Sequence, residues 1–203
     1  MSEKKSQSHD LIHNHDHDHE DGCQCGHDHA SALDHLDHHH GSEFNLVGET
    51  KASIEKVWSY LTVNKKLDQW FPGLSYEDQV APGHYLHVIG KDGQVLERNL
   101  ITDVTPSSYL AFMWGVYGSS LAFTLRELGP EMTEISLTQW VYDLNDQVAV
   151  DLAVWHVALQ DLGAVLEGGK SFDRQKEIQK VLPEVQNLLK EAKVGQDHHH
   201  HDH

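Results

Sequence analysis

Alternation opens the folded part of the chain. In FNLVGETKASIEKVWSYLT, which starts at Phe44, the residues Phe44, Leu46 and Gly48 alternate with Asn45, Val47 and Glu49. That period of two predicts a strand running to about Lys51. The period then changes, because Ile54, Val57, Trp58 and Leu61 recur at helical spacing behind Ser53, a residue suited to cap a helix N-terminus. KKLDQWF reads as a second, short helical piece that Pro72-Gly73 ends.

Strands with clear punctuation follow. HYLHVIG and QVLERNLITDV flank Lys91-Asp92-Gly93, and Asp-Gly between alternating runs predicts a hairpin. The turn Thr105-Pro106-Ser107-Ser108 leads into YLAFMWGVYG. SSLAFTLREL and EMTEISLTQWVY, joined across Gly129-Pro130, make a second hairpin. Leu121, Phe123 and Leu125 share one face of its first strand; Ile135, Leu137, Gln139 and Val141 share one face of its second, with Trp140 pointing the other way. After Asn145 the spacing becomes helical: Val148, Leu152, Trp155, Leu159, Leu162 and Leu166 form one apolar stripe, which Gly168-Gly169 terminates. SFDRQKEIQKVLPEVQNLLKEAK is amphipathic through Ile178, Val181, Leu182, Val185, Leu188 and Leu189, and Pro183 is expected to break it, kink it or open a new helix. A long helix laid on one face of a curved antiparallel sheet is an α+β architecture.

Composition divides the 203-residue chain into four parts. Residues 1–43 hold 11 of the 19 histidines, ten acids and two lysines, a mixture that cannot build a core and predicts a disordered tail. Residues 44–169 form the domain, 170–194 a C-terminal amphipathic helical extension, and 195–203, with five more histidines, a second tail. The net charge of −17 splits into −8 before residue 44, −7 over 44–194 and −2 after it. With no lysine or arginine cluster to neutralise phosphates, nucleic acid is excluded as a partner, and an anionic membrane surface with it. No apolar run approaches the roughly 18 residues of a membrane span, and residues 1–30 lack the apolar stretch of a signal peptide, so a cytoplasmic location is expected. Both cysteines, Cys23 and Cys25, lie in the tail, which leaves the domain to stand on packing alone.

The middle of the chain resembles a known family. ASIEKVWSYLTVNKKLDQWFPG is similar to the opening of the START-like (SRPBCC) superfamily, in its branch of heat-shock protein 90 ATPase activator homologues, through Val57-Trp58 in the first helix and Trp70-Phe71-Pro72 closing the second. APGHYLHVIGKDGQVLERNLITDVTPSSYLAFMWG resembles the family's glycine-containing strand, its hairpin and the strand ending in tryptophan. TLRELGPEMTEISLTQW resembles the late hairpin, and VWHVALQDLGAVLEGG the closing helix. Pro82-Gly83 stands where the family usually has two adjacent glycines. The resemblance implies a helix-grip fold, in which a curved sheet wraps a long C-terminal helix around an apolar cavity. Its members include lipid and hormone binders, and the branch is named for co-chaperone activity, so a chaperone is one partner it implies.

On such a fold the aromatics Trp70, Phe71, Tyr85, Trp114, Phe123, Trp140 and Trp155 are candidates for the lining of a small apolar ligand's cavity, against the plainer reading of core packing. His156, one step from Trp155, would sit on the flank of the stripe and present a polar tip at the cavity mouth. No nucleophile motif or phosphate-cradling loop supports catalysis.

The N-terminal tail carries a different chemistry. HNHDHDHEDGCQCGHDH spaces His13, His15, His17 and His19 two apart and adds Cys23, Cys25, His27 and His29, with His38, His39 and His40 beyond. Imidazoles and thiolates among aspartates suit Ni or Zn, and Cys-x-Cys is tighter than structural zinc spacing, so a flexible chelating segment is expected rather than one closed site. Three plainer readings compete: a solvating segment, an appendage left by cloning at Gly41–Phe44, and a pH-responsive one. Eleven histidines titrating near about 6.5 would carry residues 1–43 from −8 toward +3.

Overall fold

In the computed structural model, which describes residues 41–115 and 118–198, the first alternating run forms β1 (Ser42–Thr50). Ser53 caps α1 (Ile54–Thr62), its hydroxyl accepting from the Lys56 N–H. α2 (Asn64–Trp70) follows after the single residue Val63. Then come β2 (Leu74–Tyr76), β3 (Tyr85–Ile89), β4 (Val95–Thr105), β5 (Tyr109–Trp114), β6 (Ser119–Gly129) and β7 (Met132–Val141). α3 (Asp146–Leu166) and α4 (Arg174–His198) close the order. Both hairpins fall where Asp92-Gly93 and Gly129-Pro130 predict them. β2 escapes the sequence reading, because three residues are too few to show alternation.

All seven strands pair antiparallel in the order β1-β7-β6-β5-β4-β3-β2. β1 therefore returns across the sheet to pair with the last strand, with Leu46 opposite Leu137 and Phe44 opposite Gln139. This is the expected α+β helix-grip fold. The inner face of the sheet, α1, α2 and α3 bury the main core, which includes Val57, Leu61, Leu86, Ile101, Leu121 and Leu162. A second cluster joins Val141, Leu144, Val148, Ala149 and Leu152 to Leu189 of α4.

Two expectations change. Pro183 neither breaks α4 nor starts it; the helix runs through it. Its ring removes the N–H that would bond the Gln179 carbonyl, but both residues are exposed, so that oxygen is open to solvent. α3 is also long and apolar enough to cross a membrane by length and composition, although no uninterrupted apolar run marks it in the sequence. Its Ala153, Val157, Ala158 and Leu162 are fully buried in the protein, as in a core helix.

The join between α3 and α4 depends on glycine. Gly168 takes φ +80°, and a Cβ on Gly169 would lie 2.8 Å from the Ala164 carbonyl oxygen, which already accepts the Gly169 N–H. That reversal delivers α4 onto α3.

Candidate functional site

The aromatic candidates converge on Trp155, but they do so by filling space. The ring of Trp155 lies 4.9 Å from Trp114, 5.0 Å from Phe71, 5.9 Å from Phe123 and 6.0 Å from Phe112. Trp70 meets Phe71 and Phe123 edge to face, and its indole N–H donates to the Tyr60 carbonyl. A void of about 10 Å³ lined by Trp70, Phe112, Phe123 and Trp155 has room for no more than a single water. The void lined by Trp70, Phe112, Phe123 and Trp155 is therefore too small for an organic ligand. Edge-to-face pairs add about 0.5–1.5 kcal/mol each beyond area burial, so this packing resists opening.

Phe112 belongs to this cluster and was not among the sequence candidates. Its signal was present: Leu110, Phe112 and Trp114 alternate on one face of β5, and all three are buried. Two candidates lie elsewhere. Trp140 sits on the opposite face of β7 from Gln139, 4.0 Å from the Tyr142 ring and over Gly41, where a Cβ would clash with the indole. Tyr85 is half-buried and carries the Arg98 guanidinium 4.1 Å above its ring. Neither is among the residues that line the spaces described in this subsection.

Open space lies to the side of the grip. Between the β1–β7 edge of the sheet, α3 and α4 is a pocket of about 330 Å³. Phe44 and Leu46 of β1, Leu137 of β7 and Leu152 of α3 form its apolar floor; Val181, Val185 and Leu188 of α4 form its far wall. Glu184 is the one charged wall residue besides the titratable His156, whose Nε2 lies 3.1 Å from the Gln160 amide nitrogen. His156 lines this pocket, rather than the space within the grip where the sequence placed it.

Gln139 is the wall residue that composition could not single out. It is 2 % exposed, and neither its amide oxygen nor its amide nitrogen has a hydrogen-bond partner. The indole N–H of Trp155, which also lines the pocket, is likewise buried and unpartnered. Buried polar groups are nearly always paired, and Gln139 and Trp155 both line this pocket with polar atoms left unpaired.

α4 is held in place by a buried ion pair. Asp161 of α3 is fully buried; its Oδ2 accepts from the Ser171 hydroxyl at 2.8 Å and lies 3.7 Å from Arg174 Nε. Arg174 also donates to the Trp70 carbonyl at 2.6 Å and stacks 4.3 Å over Phe71. Burial lowers its pKa from the usual arginine value, opposed by the Asp161 carboxylate. At the other end of α3, burial pushes the Asp151 carboxyl up, against hydrogen bonds from Gln147 and Trp114 and with Glu97 adding to the rise.

The metal-ligating candidates His13, His15, His17, His19, Cys23, Cys25, His27, His29, His38, His39 and His40 lie outside the described residues. Among the described residues no three histidine, cysteine or acidic side chains come together as a metal site.

Comparison with known proteins bears on this geometry. A family described as Activator of Hsp90 ATPase homolog 1-like protein matches residues 51–167. No curated protein matches the chain. Among solved structures, the conserved protein EF2215 from Enterococcus faecalis is similar at 25% identity and a TM-score of 0.62, covering 73% of this chain and 87% of that one. CalU16 from Micromonospora echinospora is similar at 21% identity and a TM-score of 0.59, covering 73% and 89%. The Aha1 dimer from Colwellia psychrerythraea is similar at 21% identity and a TM-score of 0.54, covering 64% and 98%. The matched family segment ends before α4, so the far wall of the pocket is built by residues outside it.

Proposed function

We propose that this chain, which belongs to the family of Activator of Hsp90 ATPase homolog 1-like proteins, is a binding module rather than a catalyst. It takes a small apolar molecule between β1, β7, α3 and α4, and its histidine-rich ends hold Ni or Zn ions. The fold at large is that of a ligand-binding or regulator-type domain. One observation carries the particular reading: about 330 Å³ of apolar space lies beside α4, whereas the void lined by Trp70, Phe112, Phe123 and Trp155 holds about 10 Å³. The larger figure is within the range of small-molecule sites and the smaller one is not.

Native mass spectrometry of the full chain, purified without a metal column, tests the ligand. The expected result is a co-purified organic adduct that disappears in Leu137→Trp, which fills the pocket floor. An adduct retained at full occupancy in Leu137→Trp overturns the assignment to this pocket. Titration calorimetry with nickel and zinc chloride tests the tails, comparing the full chain with one in which His13, His15, His17, His19, His27, His29, Cys23 and Cys25 are serine. Equal stoichiometry in the two ends the metal reading.

Docking to a chaperone is the second reading, favoured by the exposed Val95, Leu96 and Leu100 on β4. Leu96→Ser would then abolish association with an Hsp90-type ATPase and leave the pocket adduct in place.

A further inference from the structure

We infer that the pocket beside α4 selects a neutral group offering a hydrogen-bond donor next to an acceptor, a lactam or carboxamide on an apolar body, and that Gln139 is the residue that reads it. The inference rests on the ligand reading above and specifies its chemistry.

A glutamine amide presents an acceptor oxygen and a donor NH2 in one plane. In this protein both ends of the Gln139 amide are unpartnered, and the side chain is sealed from water at 2 % exposure. Its cross-strand neighbours explain why no side chain serves it: Gln139 stands opposite Phe44 on β1 and Leu121 on β6, both apolar. Leaving such a group unpaired is costly, whereas an apolar residue of the same length would carry no penalty. Gln139 lines the pocket, so a molecule seated there lies against its side chain.

The ligand class follows by matching. A carboxylate offers only acceptors, leaves the Gln139 oxygen unpaired, and enters a wall whose fixed charge is the negative Glu184, with no lysine or arginine among the lining residues. A ketone satisfies the NH2 and leaves the oxygen bare. An ammonium reverses that fault. A lactam or primary carboxamide answers both atoms at once in two parallel hydrogen bonds. Its carbonyl also has a second lone pair for the unpartnered Trp155 N–H. The rest of the molecule rests against Leu46, Leu137, Leu152 and Val185.

Calorimetry on the full-length protein with three probes of nearly equal size tests this: 3,4-dihydroquinolin-2-one, its N-methyl derivative and 1-tetralone. The lactam is expected to bind about tenfold more tightly than either of the others, the worth of one additional satisfied hydrogen bond. Gln139→Met is expected to erase that preference, the lactam then binding no more tightly than its N-methyl derivative or the tetralone. The N-methyl comparison needs no variant, so it decides the matter even where Gln139→Met does not fold. Equal affinity for lactam and N-methyl lactam in the wild type overturns the hydrogen-bond assignment and leaves the apolar pocket standing. Failure of all three probes to bind overturns the pocket reading itself, and this inference with it.

Discussion

Replacing Gln139 by methionine should make the unliganded protein more stable. The side chain is 2 % exposed and its two polar atoms have no partner, so folding removes the amide from water without returning a hydrogen bond. Mutational data place that cost at about 1–3 kcal/mol for an unsatisfied amide. Methionine has the same unbranched reach and similar volume, leaves no cavity opposite Phe44 and Leu121, and carries no desolvation penalty. The stabilisation is therefore expected at about 1–3 kcal/mol, and at roughly 2–4 °C per kcal/mol for a chain of this size the Tm should rise by about 2–12 °C. Thermal unfolding followed by near-ultraviolet circular dichroism, with urea midpoints as a second measure, reads it directly. A Gln139→Met protein with an unchanged or lower Tm would show that the amide is already satisfied, and the reasoning from unpaired atoms to a ligand would fail. A gain in stability accompanied by loss of ligand is the pattern of a polar group kept for function.

Other outcomes follow from the same contacts. Arg174→Ala leaves the fully buried Asp161 carboxylate without its cation and should cost about 3 kcal/mol in urea unfolding, with protease cleavage appearing first in α4; a loss below about 1 kcal/mol would remove the ion pair as the anchor of that helix. Asp151→Asn should raise Tm at pH 7, because burial holds the folded pKa of Asp151 above its ordinary 3.8. Wild-type stability from this group is present below 3.8 and lost as pH rises through the folded value, so the gap between the two proteins should close on acidification; a gap constant from pH 7 downward refutes it. Tyr76→Phe removes the hydroxyl that donates to the Leu61 carbonyl at 2.7 Å, and should lower stability by about 1 kcal/mol at every pH below the tyrosine range, since burial pushes that phenol up. An unchanged urea midpoint would mean that water replaces the hydroxyl.

Local signals carried most of the fold. The period of two in Phe44, Leu46 and Gly48, the cap at Ser53, the Asp92-Gly93 turn and the Val148–Leu166 stripe each depend on neighbours a few residues away, so each is readable without the rest of the molecule. The family resemblance was legible for the same reason, since its motifs are packing residues in a fixed order. Pro183 shows the limit, because whether it breaks a helix depends on whether the orphaned carbonyl meets water, and only its exposure decides that.

The site depended on contacts between distant parts of the chain. Tryptophan content pointed to an aromatic region, but how closely rings such as Trp70, Phe71, Trp114 and Trp155 pack is a matter of volume, and their spacing along the chain carries no information on that. The inward face of β7 was legible in the alternation of Ile135, Leu137, Gln139 and Val141. What the alternation cannot say is what stands opposite. Gln139 became the most telling polar side chain only because β1 returns to place Phe44 against it and β6 supplies Leu121. The pocket beside it exists only because Gly168, Gly169 and the Asp161–Arg174 pair bring α4 back over α3. Periodicity along the chain thus determines which side chains face inward; whether an inward polar group finds a partner is settled by strands and helices far apart in sequence, and so by the tertiary structure alone.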